Sequence, residues 1–114
     1  MMTLEDFKTA RNVLKGVINE THLIHSPALS KASGNSVYLK PENMQVTGAY
    51  KIRGAYYTIS TLSKEQKSRG LVTASAGNHA QGVAYAAQKA GVPATICMPT
   101  TTPLVKVNNC SRWF

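Results

Sequence analysis

LVTASAGNHAQGVAYAAQKAGVPATICM, residues 71–98, decides the fold. LVTA, Leu71 to Ala74, is apolar and rich in β-formers, and reads as a buried strand. From Asn78 to Ala90 the chain is alanine-rich, which favours a helix, and Gly91 suits its C-terminal cap. Ala80 and Ala84, with Val83, Ala87 and Ala90, present small faces that allow close approach to a neighbour. ATICM, Ala94 to Met98, is the next strand. Strand, helix and strand in succession predict an α/β fold, with a parallel sheet flanked by helices and one crossover unit.

Working towards the N-terminus, SKEQKSRG (Ser63 to Gly70) is a solvated turn or short helix. TGAYKIRGAYY, Thr47 to Tyr57, starts a helix whose Ile52, Tyr56 and Ile59 recur at i, i+4 and i+7 as a core stripe. SVYLK, Ser36 to Lys40, is a short strand stopped by Pro41. THLIHSPALS contains a turn, with Pro27 ahead of a short helical stretch. At the start of the chain, Thr3 and Asp6 form a capping box with Asp in the Glu position, and Leu4, Phe7, Val13 and Leu14 follow at helical spacing up to Gly16. Beyond Met98, Pro99 and Pro103 bracket a turn into a short helix near Leu104 to Val107.

The 114 residues suffice for one small domain with its own core, and 43% of them are hydrophobic. No apolar run is long enough to span a membrane, and the first residues lack the apolar segment of a signal peptide, so the expected location is cytoplasmic. Cys97 and Cys110 lack metal or disulfide spacing, so no metal site is expected, and Cys97 is expected to be a small core residue. Lys and Arg number 13 against 5 acids, a formal charge of +8. That balance can mark a nucleic-acid binder. The positive residues are scattered, with no basic run and no interleaved aromatics, so nucleic acid is not the expected partner.

Two stretches can carry chemistry. In ASAGNHAQG, Ser75, Ala76 and Gly77 are small enough for a ligand to reach backbone N–H groups at a helix N-terminus, where an anion is favoured. Asn78 can bond a neighbouring hydroxyl or ring oxygen. A plain strand-to-helix turn with Asn78 as N-cap accounts for the same residues. Lys51, between Tyr50 and Ile52, is either a helix-surface lysine or a partly desolvated amine able to condense with an aldehyde. Arg53 faces elsewhere on the helix and reads as an ion-pair or packing residue.

Taken together, ENMQVTGAYKIRGAYY followed by SAGNHAQGVAYAA, with VYLKPEN and ATICMPTTTPLVKV, resembles the fold-type II pyridoxal-phosphate enzymes. Within them the pattern is most similar to the threonine/serine ammonia-lyases, or threonine dehydratases, and covers Leu4 to about Asn108. The resemblance implies a partial tryptophan synthase β-like fold and pyridoxal 5′-phosphate as cofactor. It implies β-elimination of L-threonine to 2-oxobutanoate and ammonia, and of L-serine to pyruvate, in isoleucine biosynthesis or threonine catabolism. Lys51 matches the Schiff-base lysine and Tyr50 the aromatic residue against the pyridine ring. Asn78 matches the asparagine on the cofactor's 3′ oxygen. Ser75, Ala76, Gly77 and His79 match the loop that receives the substrate carboxylate.

Ala49 replaces a serine common in relatives, and Ala76 stands where racemases of the family place a serine acid/base, which disfavours racemisation. No G-G-G run of the kind that cradles the cofactor phosphate occurs, and NCSRWF does not resemble the family's continuation. Residues 1–108 are therefore expected to be the N-terminal part of a truncated enzyme domain and residues 109–114 a divergent tail with an exposed Trp113-Phe114. The expected chain is incomplete, inactive alone, marginally stable and prone to associate through an uncovered sheet face. The family also implies a homo-oligomer. A non-catalytic remnant that binds an intact subunit and a serine racemase-like enzyme are the alternatives.

Overall fold

The computed structural model describes residues 1–113. Helix α1 (Leu4–Leu14) is followed by β1 (Ile24–His25), α2 (Pro27–Ser33), β2 (Tyr38–Leu39) and a 3-10 turn at Glu42–Met44. Then come α3 (Lys51–Thr61), α4 (Lys64–Ser68), β3 (Leu71–Ala74), α5 (Asn78–Ala90), β4 (Ala94–Cys97) and α6 (Leu104–Ser111). The crossover unit is present as expected: β3 and β4 pair in parallel, from Leu71 opposite Ala94 to Ala74 opposite Cys97, with α5 between them in the chain.

Alanine makes the centre of the molecule. Ala80, Ala84, Ala86 and Ala87 are buried along α5 with Val83 and Tyr85, and α3 runs against this helix in the most extensive contact between elements. Ile52 and Ile59 of α3 are buried at that seam, and Tyr56 packs half-buried beside the cluster of Ile59, Ala86 and Val92. Ile52 is the largest side chain with no exposure at all.

The elements depart from expectation in six ways. The strand expected over Ser36 to Lys40 shrinks to Tyr38–Leu39 (β2) and pairs antiparallel with Ile24–His25 (β1), giving a small second sheet. Helix α3 starts at Lys51; Thr47 to Tyr50 form a tight turn in which Gly48 takes φ 71°, which L residues avoid. Helix α6 runs on to Ser111. On α1 the Thr3 capping box forms, yet only Leu14 is buried, with Phe7 60% exposed. Cys97 is exposed, because the side chains of Val72, Ala74, Thr95 and Cys97 occupy the sheet face away from the buried one; the buried thiol is Cys110. Trp113 is half-buried, its ring edge-on to Tyr85 at 4.8 Å, while Phe114 lies outside the described residues.

Candidate functional site

Lys51 opens α3, with Tyr50 as its N-cap in helical geometry and no side chain capping the end. The four residues ahead of it are held from below. Ala49 and Thr47 are buried, and Gly48 N–H donates to the Gln45 carbonyl at 2.8 Å. Gln45 is itself buried and grips the Asn19 backbone twice, accepting from its N–H at 3.2 Å and donating to its carbonyl at 2.8 Å. Lys51 and Tyr50 emerge from this platform exposed. Of the two readings open for Lys51, its exposure matches the helix-surface lysine: the side chain leaves the first turn of α3 at an open depression.

Two residues on, Arg53 turns the other way, as its spacing predicts. Its guanidinium donates from Nε to Glu42 Oε2 at 2.9 Å and from Nη2 to Glu42 Oε1 at 2.8 Å. Thr21, buried and 32 residues from Arg53 in sequence, donates its hydroxyl to the same carboxylate at 2.5 Å. The Arg53 hydrogen bonds, with help from Thr21, hold the Glu42 carboxyl down at about 2, and the carboxylate in turn raises Arg53. Glu42 is the residue the sequence reading missed: Arg53 advertised an ion pair, but nothing in the pattern named its partner.

The second stretch begins where β3 ends. Ser75 N–H donates to the Cys97 carbonyl at 3.0 Å, continuing the ladder by one bond, and Ser75 Oγ accepts from Gly77 N–H at 3.3 Å. Gly77, in extended geometry, is the N-cap of α5, and it offers no side chain to the helix. Asn78 is thus the first helical residue, one place later than the plain turn reading puts it. The orphan N–H groups of this first turn have no side-chain acceptor, which leaves them to water or to an anion.

The two stretches meet at Gly82. A Cβ built there would lie 3.2 Å from the Ile52 amide nitrogen and 3.3 Å from the Lys51 carbonyl carbon. Absence of a side chain on α5 is what lets the start of α3 lie against it. A depression of about 580 Å³ follows this seam, bordered by Tyr50, Lys51, His79, Thr73 and Val83. A smaller one of about 390 Å³ sits at the ends of the strands against Ser75, Ala76, Cys97 and Pro99. The structure therefore brings Tyr50, Lys51 and His79 to one depression and puts Ser75 and Ala76 at the other. Gly77 and Asn78 stand at the start of α5 and border neither depression. Among the described residues no three His, Cys, Asp or Glu gather as a metal site, and no helix is long and apolar enough to cross a membrane.

The depression along the α3–α5 seam thus presents an exposed primary amine, and the nearby α5 starts without a side-chain cap. Comparison with known proteins is specific on the point. The pattern of the family described as pyridoxal-phosphate dependent enzyme matches residues 14–113, and the chain belongs to that family. It is 57% identical over 107 residues to the L-threonine ammonia-lyase of Thermotoga maritima, covering 94% of this chain and 27% of that protein. The serine racemase of Dictyostelium discoideum superposes with a TM-score of 0.92 at 35% identity, over 98% of this chain and 37% of that one. The processed form of threonine deaminase isoform 2 from Solanum lycopersicum does so with a TM-score of 0.82 at 39% identity, over 99% of this chain and 32% of that one. The chain thus spans between 27% and 37% of the length of these relatives.

Proposed function

We propose that this chain is the lysine-bearing, N-terminal portion of an enzyme that eliminates ammonia from L-threonine to give 2-oxobutanoate, and from L-serine to give pyruvate. One observation carries the reading: Lys51, Tyr50 and His79 border the same depression, with the lysine side chain exposed to it. The 57% identity to an L-threonine ammonia-lyase supports the lyase over the racemase. So does Ala76, whose methyl group cannot hand a proton to the opposite face of a substrate.

The residues present fit the amine and ring side of pyridoxal phosphate. An exposed primary amine stands over an open depression, and Thr47, four residues ahead, has a buried hydroxyl without a hydrogen-bond partner. When bound, the cofactor supplies the electron sink for the negative charge left on the substrate's α carbon. In this reading Lys51 Nζ would hold the cofactor and move the α proton. Tyr50 would pack against the ring, and Asn78 would donate to its 3′ oxygen. Ser75, Ala76, Gly77 and His79 receive the substrate carboxylate, which would lie over the free N–H groups at the start of α5. The Arg53–Glu42 pair takes no part in the reaction and keeps the first turn of α3 in place. The chain spans 27% of the Thermotoga relative and contains no G-G-G run for the phosphate, so turnover is assigned to the longer enzyme and not to these residues alone. Its setting in this reading is the cytoplasm, as part of a homo-oligomer.

The test is chemical. The purified chain is mixed with pyridoxal phosphate and reduced with borohydride, and the modified lysines are mapped by mass spectrometry. Modification concentrated on Lys51 is the expected result. Labelling spread evenly over the lysines would defeat the assignment.

A further inference from the structure

Behind the lysine helix lies a second cavity that the proposed reaction does not use. It holds about 620 Å³ between α1, α3 and the segment Ile18–Leu23. Its lining surface is mostly apolar, with Phe7, Ile18 and Tyr57 among it, and Arg11, Lys15 and Lys40 add charge at its rim. A volume of this size suits a small organic ligand. Two of the three are unspent: among the described residues Arg11 and Lys15 enter no ion pair. Lys40 donates to the Thr21 carbonyl at 2.6 Å and reaches only 3.9 Å from Glu42, whose oxygens Arg53 already engages. Glu20 is the single acid on the rim, so positive charge is in excess there.

We propose that this cleft binds a small amphipathic carboxylate, its apolar body between Phe7, Ile18 and Tyr57 and its carboxylate at Arg11, Lys15 and Lys40. An apolar wall alone would take any hydrophobe; the cationic rim selects an anion with a hydrophobic tail. The cavity is distinct from the one along the α3–α5 seam: Arg53 and Gly54 border both, but Lys51 borders only the seam depression. It owes nothing to the cofactor chemistry, and its test uses none.

The probe is 8-anilinonaphthalene-1-sulfonate, followed by its fluorescence with the purified chain at low salt. One saturable site is expected. Octanoate displaces the probe, whereas 1-octanol at the same concentration does not. The double substitution Arg11→Glu, Lys15→Glu on exposed positions of and just after α1 weakens the probe's Kd roughly ten-fold. Lys31→Glu with Lys106→Glu, an equal change of net charge away from the cleft, leaves Kd unchanged. The proposal is overturned by non-saturating fluorescence, by 1-octanol competing as well as octanoate, or by equal weakening from the two charge-reversed pairs. Competition by the alcohol needs no variant, so the proposal stays testable if a substituted chain does not fold.

Discussion

Gly82 and Lys51 touch through backbone. The missing side chain at Gly82 leaves room for the Lys51 carbonyl carbon 3.3 Å from where a Cβ would stand. A glycine inside a helix costs about 1 kcal/mol relative to alanine, so propensity works against its presence at the fifth residue of α5. What the position gains is close approach: the turn bearing the lysine is fixed to the helix that presents the Ser75–Gly77 loop.

Gly82→Ala therefore has two opposed effects. The helix gains up to about 1 kcal/mol in propensity, and the forced separation of two backbones costs about 1–3 kcal/mol. Because the atoms met are backbone atoms, which cannot swing aside, the second effect wins. The expected outcome is a net loss of about 1 kcal/mol in urea unfolding, together with lower borohydride-fixed labelling of Lys51. An unchanged or raised midpoint would show that α3 slides away without penalty.

The Glu42–Arg53 pair sets the acid limb of stability. The Glu42 carboxyl falls from an ordinary 4.5 to about 2 on folding. A carboxyl depressed in the folded state binds its proton more readily when unfolded, so its contribution is complete above about pH 5 and is lost as pH falls towards 2. With its side chain 20% exposed, the group is worth on the order of 2 kcal/mol. Thermal unfolding of the wild type should weaken steeply between pH 5 and 2. Glu42→Gln should be less stable at pH 7 and show a flatter acid limb; parallel curves for the two proteins would count against the pair.

The sequence spoke most clearly where one physical pattern dominated. The alanines of α5, Gly91 in left-handed geometry at its end and the strands either side carry local signals that agree with one another, and all three elements fall where those signals put them. Cys97 was misread because a four-residue apolar strand looks the same whether one or both faces are covered; here Leu71, Thr73, Ala94 and Ile96 are half-buried and the alternate residues are open. The β1–β2 pairing rests on two residues in each strand, too few for alternation to register. At the site, Lys51 stood out by its neighbours, whereas the Glu42–Arg53–Thr21 cluster joins residues 11 and 32 apart, a distance no local pattern spans.

Lys51 separates chemistry from folding. Its side chain is exposed and enters no ion pair among the described residues, so Lys51→Ala should change stability by less than about 0.5 kcal/mol. The same substitution should remove the dominant borohydride-fixed modification. A large destabilisation would mean that the side chain packs against the seam and that lost labelling reports unfolding.

Ile52, its neighbour, should behave in the opposite way. It is fully buried where α3 meets α5, so Ile52→Ala removes apolar contact and leaves a cavity that two rigid helices cannot close. The cost should be about 2–5 kcal/mol, read as a lowered urea midpoint with circular dichroism. A loss below about 1 kcal/mol would mean that the helices collapse to fill the space.

Thr47 makes the sharpest test of the turn before the lysine. Its side-chain oxygen is buried and has no hydrogen-bond partner, a state that costs about 1–3 kcal/mol. Valine has the same branched shape without the hydroxyl, so Thr47→Val should stabilise the chain by about 1 kcal/mol. Improved folding with undiminished labelling at Lys51 would make the hydroxyl a passive expense in the cofactor-free chain. Improved folding with weaker labelling would tie that hydroxyl to cofactor capture, the outcome expected of a polar group kept buried and unpaired four residues from the amine. Lower stability would contradict the unpaired state itself, since only a hydroxyl already making a hydrogen bond loses one when it is removed.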